Sequence, residues 1–262
     1  MEVITARIIT FNANGIRSAS RKGFFAWMLE QSPDVVCVQE TKAQEHQLPG
    51  EAALAGYLAV YLDAVKKGYS GVAIYSRREP LRVTRGLGSG TLDDEARFLR
   101  FDYENVSICS LYVPSGTSGP ARQLVKYEFL ERFLEELRHM KAEGRPIVIC
   151  GDYNIAHLDI DVYNPKACQR ITGFLPPERA WFDRAIHEVG WVDAFRTVDP
   201  NPKRFTWWAG WRNAFEKNLG WRIDYQLITP DLAPAVRAAS IAREPRFSDH
   251  APVTIDYAVE LS

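Results

Sequence analysis

The sequence has little that would send a chain out of the cell or into a membrane. No window approaches the roughly 18 uninterrupted apolar residues that a membrane-spanning helix requires. The opening Met1-Glu2-Val3-Ile4-Thr5-Ala6-Arg7 carries an acid at its second position and no small-residue cleavage pattern, so no signal peptide is expected. Cysteine is scarce: four in 262 residues (Cys37, Cys109, Cys150, Cys168), three of them inside Val/Ile-rich runs, where a free thiol behaves as a small buried hydrophobe. No CxxC or Cys/His zinc spacing occurs, which excludes a disulfide framework or a structural zinc site and points to a reducing, cytoplasmic compartment. Internal repeats, low-complexity tracts and Pro/Ser-rich linkers are also missing. Charge of either sign is not in excess, the formal net charge being -1.

What is present suits one compact unit. With 46% hydrophobic content the chain can bury a substantial core, and a single domain over residues 1–262 is expected. Short apolar runs alternate with helical segments, the signature of an α/β fold. Strands are expected at 7–11, 34–39, 71–75, 97–103, 106–113, 146–150, 222–228 and 252–259. The two runs flanking Glu104-Asn105 are too close for a crossover and read as an antiparallel hairpin, so the sheet is mixed. The clearest helix covers 123–143, with Leu130, Phe133, Leu134 and Leu137 at i, i+3, i+4 and i+7 and Gly144 and Pro146 stopping it. Two more are expected at 177–188 and 22–30. The stretch 155–177 has no clear period, and long ordered loops in compact domains are commonly functional.

The apolar runs deliver polar groups at their ends. The first ends on Asn12 and Asn14, the second on Glu40, the sixth on Asp152 and Asn154; Asp224 lies inside Trp221-Arg-Ile-Asp-Tyr-Gln-Leu227, and Asp249-His250 stands just before the last strand. Each has an ordinary explanation alone: a cap acid for Glu40, a turn for Asp152-Asn154, a structural hydrogen bond for His250, an ion pair between Asp224 and Arg222, packing for Tyr112. Gathered in one pocket, however, carboxylates repel and are costly to desolvate unless a cation offsets them. Oxygen donors without thiolates suit Mg²⁺, with Mn²⁺ as substitute, and metal-assisted phosphodiester hydrolysis is the natural outcome. From Lys203 to Arg222, five basic residues (Lys203, Arg204, Arg212, Lys217, Arg222) against one acid are interleaved with Trp207, Trp208, Trp211, Phe215 and Trp221. That stretch reads either as a phosphate-facing surface or as a solvated loop over core tryptophans.

Taken in order, Phe11-Asn-Ala-Asn-Gly-Ile-Arg17, Val38-Gln-Glu-Thr-Lys42, Gly68-Tyr-Ser-Gly-Val-Ala-Ile-Tyr-Ser76, Leu111-Tyr-Val-Pro-Ser-Gly116, Cys150-Gly-Asp-Tyr-Asn-Ile-Ala156, Gly220-Trp-Arg-Ile-Asp-Tyr225 and Phe247-Ser-Asp-His-Ala-Pro252 resemble the motifs of the exonuclease III / abasic endonuclease family. The resemblance implies a DNase I-like four-layered α/β sandwich, two mixed β-sheets flanked by helices. It also implies an abasic-site endonuclease cutting double-stranded DNA 5′ to the lesion, with 3′–5′ exonuclease and 3′-phosphatase action at damaged 3′ ends, as a monomer without membrane attachment. By the same resemblance Glu40, with Asn12, Asn14 and a share from Asp249, would hold Mg²⁺, and Asp152, Asn154 and His250 would belong to the same metal-binding set. Asp152 would orient the attacking water, Asn154 would hold the phosphate, His250 oriented by Asp224 would polarise it, and Tyr112 would stabilise the transition state. Trp207, Trp221 and Ile223 would line a pocket for an extruded sugar, and Arg17, Ser115, Asn164, Lys166 and Arg222 would contact DNA. The chain departs from the family at Ser115, where many relatives have Asn, and at Ala167-Cys168 and Ile171, where relatives carry Gly-Asn and Asn; those changes bear on DNA affinity and damage preference. Two other readings remain: a non-catalytic nucleic-acid-binding regulator of the same fold, which has no reason to collect repelling carboxylates, and a lipid or inositol phosphatase, which needs no basic, aromatic DNA-facing segment.

Overall fold

The computed structural model describes residues 5–88, 90–211 and 213–262, so Arg212 of the basic stretch lies outside the described residues. Twelve strands run in chain order: β1 (Ala6–Asn12), β2 (Val35–Gln39), β3 (Leu58–Leu62), β4 (Val72–Ser76), β5 (Arg82–Arg85), β6 (Phe98–Asp102), β7 (Ser107–Tyr112), β8 (Ile147–Asp152), β9 (Val192–Asp193), β10 (Asp224–Ile228), β11 (Val236–Ile241) and β12 (Val253–Tyr257). They form two six-stranded mixed sheets, ordered β11-β12-β1-β2-β4-β3 and β5-β6-β7-β8-β10-β9. The described helices are α1 (Ile16–Arg21), α2 (Phe24–Gln31), α3 (Pro120–Ala142), α4 (Pro165–Cys168), α5 (Pro176–Asp183) and α6 (Ala194–Val198). No helix among the described residues is long and apolar enough to cross a membrane.

The four layers follow from the two-residue period of the strands. In β8, Val148 and Cys150 face the opposite sheet while Ile147 and Ile149 face outward. In β1, Ile8 faces inward and Ile9 and Phe11 outward. Because both faces are covered, these strands read as continuous apolar runs. The outer face of the second sheet is covered by α3, through Phe129, Leu130, Phe133, Leu134, Leu137 and Met140, together with Trp181 and Phe182 of α5. The outer face of the first sheet packs on Phe24, Phe25, Trp27 and Met28 of α2. All four cysteines are buried and free.

Eight of the strands and the hairpin at Glu104-Asn105 lie where the apolar runs placed them. The expected 22–30 helix is α2, which begins at Phe24 because Gly23 adopts a left-handed φ of 87°; α1 precedes it, in a segment for which no helix was expected. The expected 177–188 helix is α5 followed by a π-helical turn over Arg184–Val189 that Gly190 closes. Strands β3, β5, β9 and β11 carry no clear signal: β3, β5 and β11 are partly exposed, and β9 has two residues. The aperiodic 155–177 stretch holds a 3₁₀ turn at Asp159–Asp161 and α4.

Candidate active site

The two sheets meet at one rim. Parallel pairs β1–β2 and β7–β8 put Asn12 beside Gln39 and Tyr112 beside Asp152, while antiparallel β10 puts Asp224 on the other side of Asp152. The chain can bring β7 and β8 this close because position 151 is glycine: a Cβ there would meet the Leu111 carbonyl oxygen at 2.2 Å. Just past their strands, Asn14, Glu40 and Asn154 adopt left-handed φ values of 42°, 51° and 52°. Asparagine tolerates that region; glutamate does so at a cost, a strain that is typical of functional sites.

These turns aim their side chains at one point. The Asn12 amide donates to Glu40 Oε1 and to Asp152 Oδ2, both at 2.8 Å, and so ties the first sheet to the second. Asp152 also accepts from the Asn154 backbone N–H at 2.8 Å and its side-chain amide at 3.2 Å. Asp249 accepts from Asn14 Nδ2 at 2.9 Å and Trp207 Nε1 at 3.0 Å. His250 Nδ1 lies 2.9 Å and 3.1 Å from the two Asp224 oxygens, and its Nε2 lies 4.0 Å from Asp152 Oδ2. Lys42 pairs with Glu40 at 2.7 Å. The guanidinium of Arg97 stacks 4.6 Å from the Tyr112 ring centroid and donates to the Tyr112 carbonyl at 3.0 Å.

The electrostatics follow from burial and crowding. Burial, then the charges of Asp224 and Glu40, push Asp152 up to about 7 against the pull of His250. Burial opposes charge on His250, but Asp224, Asp152 and Asp249 together lift it to about 10. Asp249, despite burial, is held at about 2 by His250 and its hydrogen-bond donors. Glu40 is lowered: burial acts against its charge, and Lys42, Asn12 and His250 outweigh it. Burial and the neighbouring Glu40 raise Tyr112 well above its ordinary range, so it is a phenol, a hydrogen-bond donor. Ligand atoms of Glu40, Asp152 and His250 lie within 4.8 Å of one another. Crowded hard-oxygen donors, with no thiolate among them and one carboxyl pushed toward neutrality by its neighbours, fit a hard divalent cation.

Beside this centre opens a pocket of about 440 Å³, walled by Trp207, Trp221, Ile223 and the 171–173 backbone, with Asn14, Glu40, Tyr112, Asn154, Asp249 and His250 on its polar side. Backbone bridges join Trp207 to both Trp221 and His250, which fixes the aromatic wall to the acidic centre. The sequence pattern of the Endonuclease/Exonuclease/phosphatase family matches residues 9–250. The chain belongs to this family. A Bacillus subtilis protein named exodeoxyribonuclease is 37% identical over 251 residues, 95% of this chain and 98% of its own. An AP endonuclease structure from Archaeoglobus fulgidus superposes with a TM-score of 0.87 at 33% identity, covering 97% of this chain and 100% of that one. The structure of a 3′ phosphatase, NExo, from Neisseria bound to product DNA hairpin gives 0.87 at 28% identity, covering 96% and 99%. The neighbours thus share the DNase I-like arrangement of two mixed sheets flanked by helices.

Within this family fold, the residues expected at the centre (Asn12, Asn14, Glu40, Tyr112, Asp152, Asn154, Asp224, Asp249 and His250) come together, and Ser115, Trp207, Trp221 and Ile223 line the pocket. Arg222 does not reach DNA. It is buried, with Nε on Asp161 at 2.8 Å and Nη2 on Asp193 at 2.7 Å, because it points to the opposite side of the chain from its neighbours Trp221 and Ile223. The ordinary Asp224–Arg222 ion pair is likewise replaced: Asp224 serves His250 and Arg222 serves Asp161. His250 keeps Nδ1 on Asp224 and brings its other nitrogen among the ligand atoms of Glu40 and Asp152. Asn164 caps α4, accepting from Ala167 N at 3.2 Å; it, Lys166 and Arg17 are exposed and outside the pocket lining. Of the tryptophans, Trp208 belongs to the core and Trp207 and Trp221 to the pocket. Sequence reasoning gave no role to Lys42, Arg97 or Thr206, whose hydroxyl oxygen accepts from the backbone N–H groups of Ile223 and Asp224. Lys42 was within reach of it, at the end of the Val38–Lys42 motif; the other two have no local signal.

Proposed function

We propose that this protein is a Mg²⁺-dependent DNA phosphodiesterase whose main reaction is incision 5′ to abasic sites in double-stranded DNA, with 3′–5′ exonuclease and 3′-phosphatase reactions sharing the same centre. The observation that carries the reading is the adjacency of the Asp152–His250–Asp224 centre to an apolar, aromatic-walled pocket: a sugar lacking its base leaves the stack readily and fits such a wall.

Glu40, which accepts from Asn12, would hold the cation, with Asp249, which accepts from Asn14, lining the same pocket. The cation supplies charge neutralisation on the phosphate oxygens. Asp152, pushed up to about 7, has the proton affinity that a general base needs near neutral pH, and Asn154 holds it in place while offering its amide to the phosphate. Asp224 fixes the orientation of His250, so that Nε2–H points toward the pocket and meets negative charge as it grows on the phosphate. The Tyr112 phenol, kept protonated and stacked on Arg97, donates to the departing oxygen. Lys42, paired with Glu40, lines the same pocket and supplies positive charge there.

Incision of a labelled duplex carrying one abasic-site analogue, in Mg²⁺ and in EDTA, tests this. Cutting on the 5′ side of the lesion, abolished by EDTA and reduced about a thousandfold or more in Asp152→Asn, is the expected result. An intact duplex with folded, metal-loaded protein overturns it and brings the regulator reading forward.

A further inference from the structure

One fully buried ion pair lies outside the centre and touches it from behind. Lys126 of α3 and Glu178 of α5 have wholly inaccessible side chains and pair directly. Such a pair is weak evidence for stability, because desolvating both charges offsets their attraction. Its remaining partners are therefore informative. Lys126 Nζ also donates, at 2.8 Å, to the backbone carbonyl of Asn154, the residue held left-handed beside Asp152. Glu178 accepts from Gly173 N at 2.6 Å, Leu175 N at 2.9 Å and Gln123 Nε2 at 3.0 Å. Gly173 closes against the Trp221 ring, where an added Cβ would come within 3.1 Å, and its carbonyl accepts from Ala156 N at 2.7 Å.

We propose that Lys126 and Glu178 are positioning residues of the reaction: Lys126 fixes the strained Asn154 peptide, Glu178 fixes the 172–175 segment of the pocket wall, and their ion pair sets catalytic turn and wall in register. Neither reaches the substrate. Asn154 is thereby held at three points, with its N–H on Asp152, its side-chain Nδ2 on Val113 and its carbonyl on Lys126. A misplacement of about an ångström at such a group can cost on the order of a hundredfold in rate. The claim rests on the nuclease reading for its kinetic half only.

The test compares Glu178→Gln with the paired, shape-keeping Lys126→Met/Glu178→Gln on the abasic duplex in Mg²⁺, together with hydrogen exchange of the Asn154 amide. Glu178→Gln, which leaves Lys126 on Asn154, is expected to raise KM severalfold and to keep kcat within about threefold. The paired variant is expected to lose about tenfold or more in kcat beyond that, with the Asn154 amide exchanging faster while amides of β8 stay protected. Equal kcat in the two variants with unchanged Asn154 protection overturns the proposal. So does a kcat loss in Glu178→Gln without a change in KM. If wild-type protein does not cut the duplex, the nuclease reading fails by itself, and the exchange measurement still decides whether Lys126 holds Asn154.

Discussion

At the scale of residues, the centre is a compromise between stability and chemistry, and Asp152 shows it most directly. Its folded pKa of about 7 lies above its ordinary 3.8, so the ionised carboxylate destabilises the fold; the cost grows as pH rises through that interval and is complete above it. Asp152→Asn removes the charge while keeping the shape. In EDTA at pH 8 that variant is expected to be more stable than wild type by about 1–3 kcal/mol. Wild type should gain stability as pH is lowered from 8 to 5, and the variant should gain less, keeping only the share that His250, lifted chiefly by Asp224, supplies; urea melts at both pH values check this. Equal stabilities at pH 8 would mean that burial and repulsion by Asp224 and Glu40 together place no net cost on the Asp152 charge. The residue types at this centre were legible in the sequence because chemistry restricts them: few side chains hold a metal, take a proton or orient an imidazole. Arg222 was misread because its type permits both a phosphate contact and a buried ion pair, and only the facing of one side chain chooses between them.

At the scale of elements, two short connections govern the site. The first is the close pairing of β7 and β8. Gly151→Ala would drive a methyl to 2.2 Å from the Leu111 carbonyl, so the strands must part just where Tyr112 and Asp152 are paired. The expected result is a loss of roughly 1–3 kcal/mol together with a fall in incision rate larger than the stability loss explains, read from thermal melts and single-turnover assays. The second connection joins the 155–177 stretch to β10. Asp161 accepts from both Arg222 and Arg196, and although burial opposes its charge these two arginines hold it at about 2. Its folded pKa is below its ordinary 3.8, so its contribution is complete above about pH 4 and is lost as pH falls toward 2. Asp161→Asn leaves buried Arg222 with Asp193 in place of two anions and is expected to cost up to about 3–5 kcal/mol and to flatten the acid limb of the stability profile between pH 4 and 2. An unchanged acid limb would place the charge support of Arg222 on Asp193 alone. The strands flanking these connections were legible because both their faces are buried; the half-exposed edges β3, β5 and β11 were not, since partial burial leaves neither a continuous apolar run nor a clean alternation.

At the scale of the whole molecule, the centre sits on the seam between two sheets whose described strands pair only within their own sheet. Glu40 follows β2 of the first sheet, Asp152 ends β8 of the second, and Asn12 spans them. The pairing of sheets was not written in the strand signals, because the first sheet takes its strands from both ends of the chain and only the joint requirement for one pocket hinted that those ends meet. A cation bound at the seam therefore acts as a clamp between the sheets as well as a reagent. Binding to the native state alone stabilises by about 2.7 kcal/mol at a hundred times the dissociation constant, which for a chain of this length is about 5 °C in Tm. Wild type is accordingly expected to melt several degrees higher in saturating Mg²⁺ than in EDTA. Glu40→Gln should keep its Tm in EDTA and lose most of that increment. Glu178→Gln should keep the full increment, since its carboxylate supports the pocket wall and not the seam. A Mg²⁺ increment retained in Glu40→Gln would move the cation to Asp152 and Asp249 and leave Glu40 a partner of Lys42 and Asn12.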